Sequence, residues 1–280
     1  MANAYVNLTN FKARVSVTST TDDTQMKLLI EAVSRIIDRY CNRHFHTKSE
    51  IRYFDGDGAD NLVVPDILSI TKVEMDDDQD GLTWEVELDT TTPDYMLQPY
   101  NEYPKWRLQM HSQSDYSAIT RGVKTMKITG IWGYGDGQSA TPYAASGAVV
   151  NTGGITDSAT THALATGKGA LFSVGDTIHI GAEQLYVTGV SSDTLTFERG
   201  KNGTAAAAHI AADVIYIYLY PEPVREACLV QAGRLWKRKD TFFAQVVTAP
   251  EMGSYEVFRG LDPDLKMMLA DLVLPKGARK

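Results

Sequence analysis

The segment from Asp22 to Phe45, DDTQMKLLIEAVSRIIDRYCNRHF, constrains the fold more than any other stretch of the chain. Met26, Leu29, Ile30, Val33, Ile36, Ile37 and Tyr40 recur at steps of three and four, which lays one apolar stripe along a long helix. Thr21 stands where it can cap the start. Asp22 and Asp23 occupy the positive end of the helix dipole, while Arg39, Arg43 and His44 crowd the negative end. No catalytic residue type lies on the stripe. The helix reads as a packing element, and the chain as a component of an assembly.

Composition bounds the rest. A chain of 280 residues holds one large domain or two ordinary ones, with ample length to bury a core. Hydrophobic residues make up 43% and charged residues 22%, which is ordinary for a soluble globular protein. No apolar run approaches the roughly 20 residues needed to cross a bilayer. The opening MANAYVNLTNFKARV lacks the basic region and apolar block of a signal peptide. Cys41 and Cys228 both fall on predicted helices and are expected to be buried thiols, not a disulfide. A net charge of −8 argues against a protein that grips DNA by its phosphates, and suits a surface that DNA must slide past.

Further elements follow from periodicity. A short helix is predicted from Leu8 to Val15. Strands are predicted at Ile51 to Phe54, Asn61 to Val64, Ile67 to Met75, Trp84 to Leu88, Asp94 to Leu97 and Val123 to Trp132. A second strong helix begins at Pro223, with Val224, Ala227, Cys228, Gln231, Leu235 and Trp236 on its inner side and Lys237 to Lys239 at its end. Asp262 and Pro263 open a last short helix within Asp262 to Leu274. Between Ala144 and Val214 charged residues thin out, and short strands are separated by glycine turns. This stretch is predicted to be a small all-β module inserted between a core strand and a core helix, projecting outward from a surface loop.

Several constellations could carry chemistry. Asp76, Asp78, Asp80 and Gly81, with Glu87 in twelfth place, match the spacing of a calcium-binding EF-hand loop. The flanks LSITKVEM and WEVEL read as strands where that motif needs helices, so an acidic hairpin tip is expected instead. Asp55, Asp57 and Asp60 read as a glycine-rich turn. His44 and His46 have metal-compatible spacing but no cysteine or carboxylate at ligand spacing, and read as a helix end. Cys41 near His44 is weak evidence for a nucleophile. The glycines of WGYGDG lack the following helix of a phosphate loop. The run Lys237-Arg238-Lys239 beside Trp236 is first explained by the helix dipole. No catalytic residue, cofactor or metal is predicted.

Taken in order, several phrases resemble one family, the bacteriophage head–tail connector (adaptor or head-completion) proteins. LTNFKARVSVTSTTDDTQMKLLIEAVSRIIDRYCNRHF is similar to that family's opening helix pair. RYFDGDGADNLVVPDILSITKVEMD, DYMLQPYN and KITGIWGYGD are similar to its central sheet, and AGRLWKRKD with FRGLDPDLKMML to its C-terminal helix and tail. Everything outside the insertion is covered. The phrases are fold phrases and carry no active-site signature. FSVGDTIHIGAEQLYVTGVSSDTLTFERGKNGTAAAAH resembles small β modules of phage structural proteins.

The resemblance implies an α+β fold: a helical connector core with a small antiparallel sheet, in residues 1–143 and 215–280, interrupted by an all-β domain at 144–214. It implies a homo-oligomeric ring, usually of twelve subunits, in the virion neck beneath the portal protein. Such a ring is assembled in the host cytoplasm. DNA passes through its channel without specific binding, and a stopper or tail-joining protein docks below. Trp236, Lys237, Arg238, Tyr255, Phe258, Arg259 and Leu261 are the expected contacts to the portal or a neighbouring subunit, since aromatic and Arg side chains make effective anchors. Asp76, Asp77, Asp78 and Asp80 form a candidate acidic loop facing the lumen or the tail. Two rival classes stand beside this reading. One is a tail or baseplate component whose β insertion, through Tyr186 and Tyr216, binds a carbohydrate or receptor. The other is an enzyme or calcium-dependent binder built on the acidic loops.

Overall fold

The computed structural model describes residues 1–89, 93–239 and 261–275, together with the backbone of 246–249 and 253–256. The chain divides into two compact units. One comprises Arg43–Pro142 with Asn202–Thr204 and the described part of Leu274–Lys280; the other comprises Met1–Asn42, Tyr143–Lys201 and the described part of Ala205–Val273.

The Arg43–Pro142 unit is an antiparallel sheet. Its strands are Lys48–Gly56 (β1), Asn61–Met75 (β2), Val86–Leu88 (β3), Tyr95–Gln98 (β4), Lys105–Met110 (β5) and Gly122–Trp132 (β6). They lie in the order β1-β6-β2-β5-β4, and β3 pairs with the far end of β2. Ile67, Val73, Met75, Leu108, Met126, Ile128 and Trp132 form its core, each almost wholly buried. At Gly130 the strands approach so closely that a Cβ would stand 2.4 Å from the carbonyl oxygen of Ser69.

The other unit combines four helices with a second sheet. Leu8–Val15 (α1), Asp23–Cys41 (α2), Glu222–Arg238 (α3) and Pro263–Met268 (α4) pack together, α2 chiefly against α3. The sheet consists of Tyr143–Val149 (β7), Thr161–Ala163 (β8), Thr177–Ile180 (β9), Glu183–Ser191 (β10), Thr194–Lys201 (β11) and Val214–Tyr218 (β12), ordered β7-β12-β9-β10-β11-β8. A separate hairpin joins Val246–Ala249 (β13) to Gly253–Glu256 (β14).

The expected helical-core α+β fold is thereby corrected. Among the described residues the protein is mostly β, with 34% in strands and 23% in helices, and carries two six-stranded antiparallel sheets. Helices announce themselves by long stripes, whereas the strands, up to 15 residues long in β2, are disguised at two places. β2 reads as two strands because Pro65 has no N–H for the ladder, and its register with β5 shifts between Val63 and Ile67. β5, KWRLQM, begins with a lysine that looks exposed in sequence. Lys105 is buried, and its ammonium donates to the carbonyls of Pro99 and Tyr100 at 2.7 and 2.8 Å.

The long helix is shorter than expected and turned about its axis. Asn42 adopts a left-handed conformation (φ 54°) and its N–H caps Asp38, so α2 ends at Cys41 and not at Phe45. The first cap is Asp22, not Thr21, and makes no side-chain capping bond. Met26, Ile30, Val33 and Ile37 are buried as predicted, but Ser34, Asp38 and Cys41 share their face, while Ile36 is 37% exposed. The polar positions are buried because the N-terminal segment meets them. Tyr5 donates its N–H to Ser34 Oγ (3.1 Å) and its hydroxyl to the Asp38 carboxylate, and Arg35 bridges Asp38 at 3.1 Å. Cys41 and Cys228 are both buried thiols.

Within the same unit, α1 is anchored on the β module. Asn7 caps α1 and donates from its amide to Asp176 (2.9 Å). The Leu8 N–H reaches the Val174 carbonyl (2.9 Å), and the hydroxyls of Thr9 and Ser173 meet at 2.6 Å. The module itself closes on one buried carboxylate. Glu183, on β10, accepts from Arg199 (2.6 and 2.8 Å), from the N–H of Gly200 (2.8 Å) and of Ala207 (3.1 Å), and pairs with His209 (2.9 Å). Arg199 also donates to the carbonyls of Thr156, Ala159 and Ala207. Loops that ordinary turn chemistry would leave independent are tied to a single side chain.

Burial alone would push the Glu183 carboxyl up. Arg199, the two backbone amides and His209 outweigh it and hold the carboxyl at about 2, against 4.5 ordinarily. A carboxyl depressed on folding contributes stability that is complete above about 4.5 and is lost as pH falls through about 2. Hydrogen exchange of β10 and β11 should therefore accelerate over that window. Glu183→Gln should remove the acid dependence and cost about 3 kcal/mol at neutral pH, because it leaves Arg199 buried without its counter-charge. Unchanged exchange in the variant would refute the role given to this cluster.

Candidate functional site

Two surface features gather most of the candidate residues. The first is the loop between β2 and β3, whose strands pair through Val73–Leu88, Glu74–Glu87 and Met75–Val86. It is the acidic hairpin tip expected from sequence. Asp76 is fully buried and builds it: Oδ1 accepts from the Gln79 N–H (2.6 Å), Oδ2 from the Gly81 N–H (2.9 Å), and its own N–H donates to Thr125 (2.9 Å). Gly81, at φ +68°, has open space where a Cβ would stand, so its backbone conformation is what the loop needs.

Asp80 closes the tip by accepting from the N–H of Leu82 (2.6 Å) and Thr83 (2.9 Å), and these amides hold its carboxyl below the usual range. At Asp78 the Asp80 N–H pulls the carboxyl down, but desolvation and the charges of Asp80, Glu85 and Asp76 leave it raised. Asp77, Asp78, Asp80 and Glu85 are exposed. Among them stands Leu82, 79% exposed.

Oxygens of Asp76, Asp78 and Glu85 lie within 4.8 Å of one another. The donor set fits a calcium ion poorly. Three carboxylates fall short of the six to eight oxygens, about, that calcium takes, and both Asp76 oxygens already accept backbone protons. Glu87, the twelfth position of the sequence match, lies on β3 and pairs with Lys72 at 3.1 Å. Strands flank the loop where helices would be required.

The second feature is an open groove of about 530 Å³ between the end of α1 and the outer side of α3. Val15, Leu229 and Val230 line it together with Arg14, Arg234, Lys237 and Arg238. Four cations thus border an apolar floor. Arg14 is bridged to Glu226 (2.6 Å) and Arg234 to Asp262 (2.5 Å), while Lys237 is exposed. Lys237 and Arg238 come from the sequence-predicted set. Arg14 and Arg234 were not anticipated. Arg234 stands three residues before Lys237 on the same helix, a signal that could have been read; Arg14 arrives from another helix and left none.

The other predicted contacts separate. Trp236 turns inward, 6% exposed, with the Lys239 ammonium 3.4 Å from its ring centroid. Leu261 is half-buried beside the α4 cap. Tyr255 belongs to β14, where its backbone pairs with Val247. Phe258 and Arg259 lie outside the described residues. In the β module Tyr186 is buried and Tyr216 half-buried, which offers no open ring platform for a sugar. Compared with known protein families and with curated proteins, the chain matches no family model and no curated sequence.

Removing the Asp76 carboxylate strips two amides of their acceptor. Asp76→Ala should destabilise the hairpin by about 1–3 kcal/mol. Amide exchange across 77–85 should rise while β1 and β6 stay protected. Calorimetric titration of the native chain with calcium should give no saturable heat, and a stoichiometric isotherm lost in Asp76→Ala would reverse this reading of the loop.

Proposed function

We propose that the chain is a bacteriophage head–tail connector, a structural protein that forms a ring beneath the portal and extends the DNA channel toward the stopper or tail. The observation that carries this reading is how the chain's acidic groups are held. Each buried carboxylate among the described residues is already matched: Asp38 by Tyr5 and Arg35, Asp66 by Arg43, Glu74 by Lys127, Asp76 by backbone amides and Glu183 by Arg199. Groups engaged in this way hold structure together, and the surface features that remain are suited to contact with other proteins.

The arrangement of helices supports the same reading. α1 and α2 come from one end of the sequence and α3 and α4 from the other, yet they pack in one unit, in the order that the connector-like phrases follow. The β module, between β6 and α3 in sequence, belongs to the same compact unit as these helices. The net charge of −8 per copy, repeated around a ring, would repel a DNA duplex and keep it moving through the lumen.

A reconstruction of the virion tests the proposal. The chain should map to the neck, between portal and tail. Particles assembled without it should lose packaged DNA and fail to join tails. Density for the chain in the capsid shell or the tail tip, or full infectivity without it, would overturn the proposal.

A further inference from the structure

We propose that the acidic hairpin of one copy docks head-to-tail into the basic groove of the next, with Leu82 seated on Val15, Leu229 and Val230 and with Asp77 and Asp78 facing Arg14 and Lys237. The inference deepens the ring reading above and rests on it for the biological setting. The contact itself is argued from two surfaces of this chain.

The first argument is complementarity of shape and polarity. A leucine 79% exposed at the tip of a hairpin is an apolar knob in a ring of carboxylates. The groove is its counterpart, an apolar floor bordered by four cations. Two residues stand outside their own unit's packing: among the described residues Leu82 belongs to no core cluster, and Lys237 is exposed at the groove, while Arg14 and Arg234 beside it are bridged to Glu226 and Asp262.

The second argument is preorganisation. Asp76 and Asp80 fix the hairpin through four backbone amides, so Leu82 is presented without further ordering. The bridges to Glu226 and Asp262 likewise hold the guanidinium groups of Arg14 and Arg234 in place. The crowding that raises the Asp78 carboxyl would be relieved by cations from outside the hairpin. A knob on one surface and a groove on another form a heterologous contact, the kind that generates rings when its rotation closes.

The test is a cysteine pair in the full chain, Leu82→Cys with Gly233→Cys. The position of Gly233 adjoins the groove, and a Cβ there meets only Val15, at 3.8 Å. The native thiols Cys41 and Cys228 are buried. Mild oxidation of concentrated protein should give a ladder of disulfide-linked species extending beyond the dimer. Asp77→Lys with Asp78→Lys, or Arg14→Glu with Lys237→Glu, added to that pair should each cut the ladder about tenfold. All four charge changes together should restore it, which misfolding could not do.

A ladder insensitive to either reversal, or a product that stops at the dimer, overturns the contact. So does protein that stays monomeric, which would assign the groove to a different partner. A virion neck containing the chain, beside a blank cross-linking result, would remove this contact and leave the connector reading standing. A ladder from a chain found elsewhere in the particle would do the reverse.

Discussion

A carboxylate taken out of water persists only when cations or backbone amides close around it. This protein uses that requirement as its means of organising loops. Glu183 collects Arg199, two amides and a histidine, and so binds the ends of a long loop to the strands beside it. Asp76 does the same on a smaller scale for the hairpin, and the half-exposed Asp193 holds the turn at Gly167 and Gly169 by accepting from their amides at 3.0 and 2.8 Å. Around such points the apolar sheet faces need only supply bulk, and the loops inherit a fixed shape from a few ionic centres.

That economy explains what the sequence does and does not disclose. α1 is legible to the residue, and the hairpin tip, the β module and the Asp262 cap are found where periodicity and turn chemistry place them. Periodicity misjudges α2, because the face that packs contains Ser34 and Asp38 in place of Leu29 and Tyr40. Those two polar residues are buried through bonds to Tyr5, far away in sequence. β5 escapes notice for a similar reason: its leading lysine is satisfied by carbonyls of the preceding loop. Polar pairing leaves no periodic trace, whether it reaches across the chain as from Tyr5 or back a few residues as from Lys105.

The candidate surfaces follow the same division. The acidic residues of the hairpin are contiguous and visible at once, but the exposed Leu82 among them acquires meaning only when the loop has a shape. Of the basic residues, Lys237 and Arg238 are neighbours in sequence, whereas Arg14 joins them only through the packing of α1 near α3. The carboxylates of the hairpin, whose spacing matches a calcium loop but whose flanks are strands, divide their work. Asp76 and Asp80 hold the backbone, and Asp77, Asp78 and Glu85 face solvent.

Gly130 marks the opposite extreme from these adaptable loops. It sits on β6, flanked on both sides by paired strands, with Ser69 close enough that even a methyl group has no room. No rearrangement of a neighbouring side chain can create that room, because the obstacle is main chain. The same constraint reaches the rim: at Gly56, the last residue of edge strand β1, a Cβ would stand 2.0 Å from the Thr120 carbonyl oxygen, so main chain limits diversification there as well.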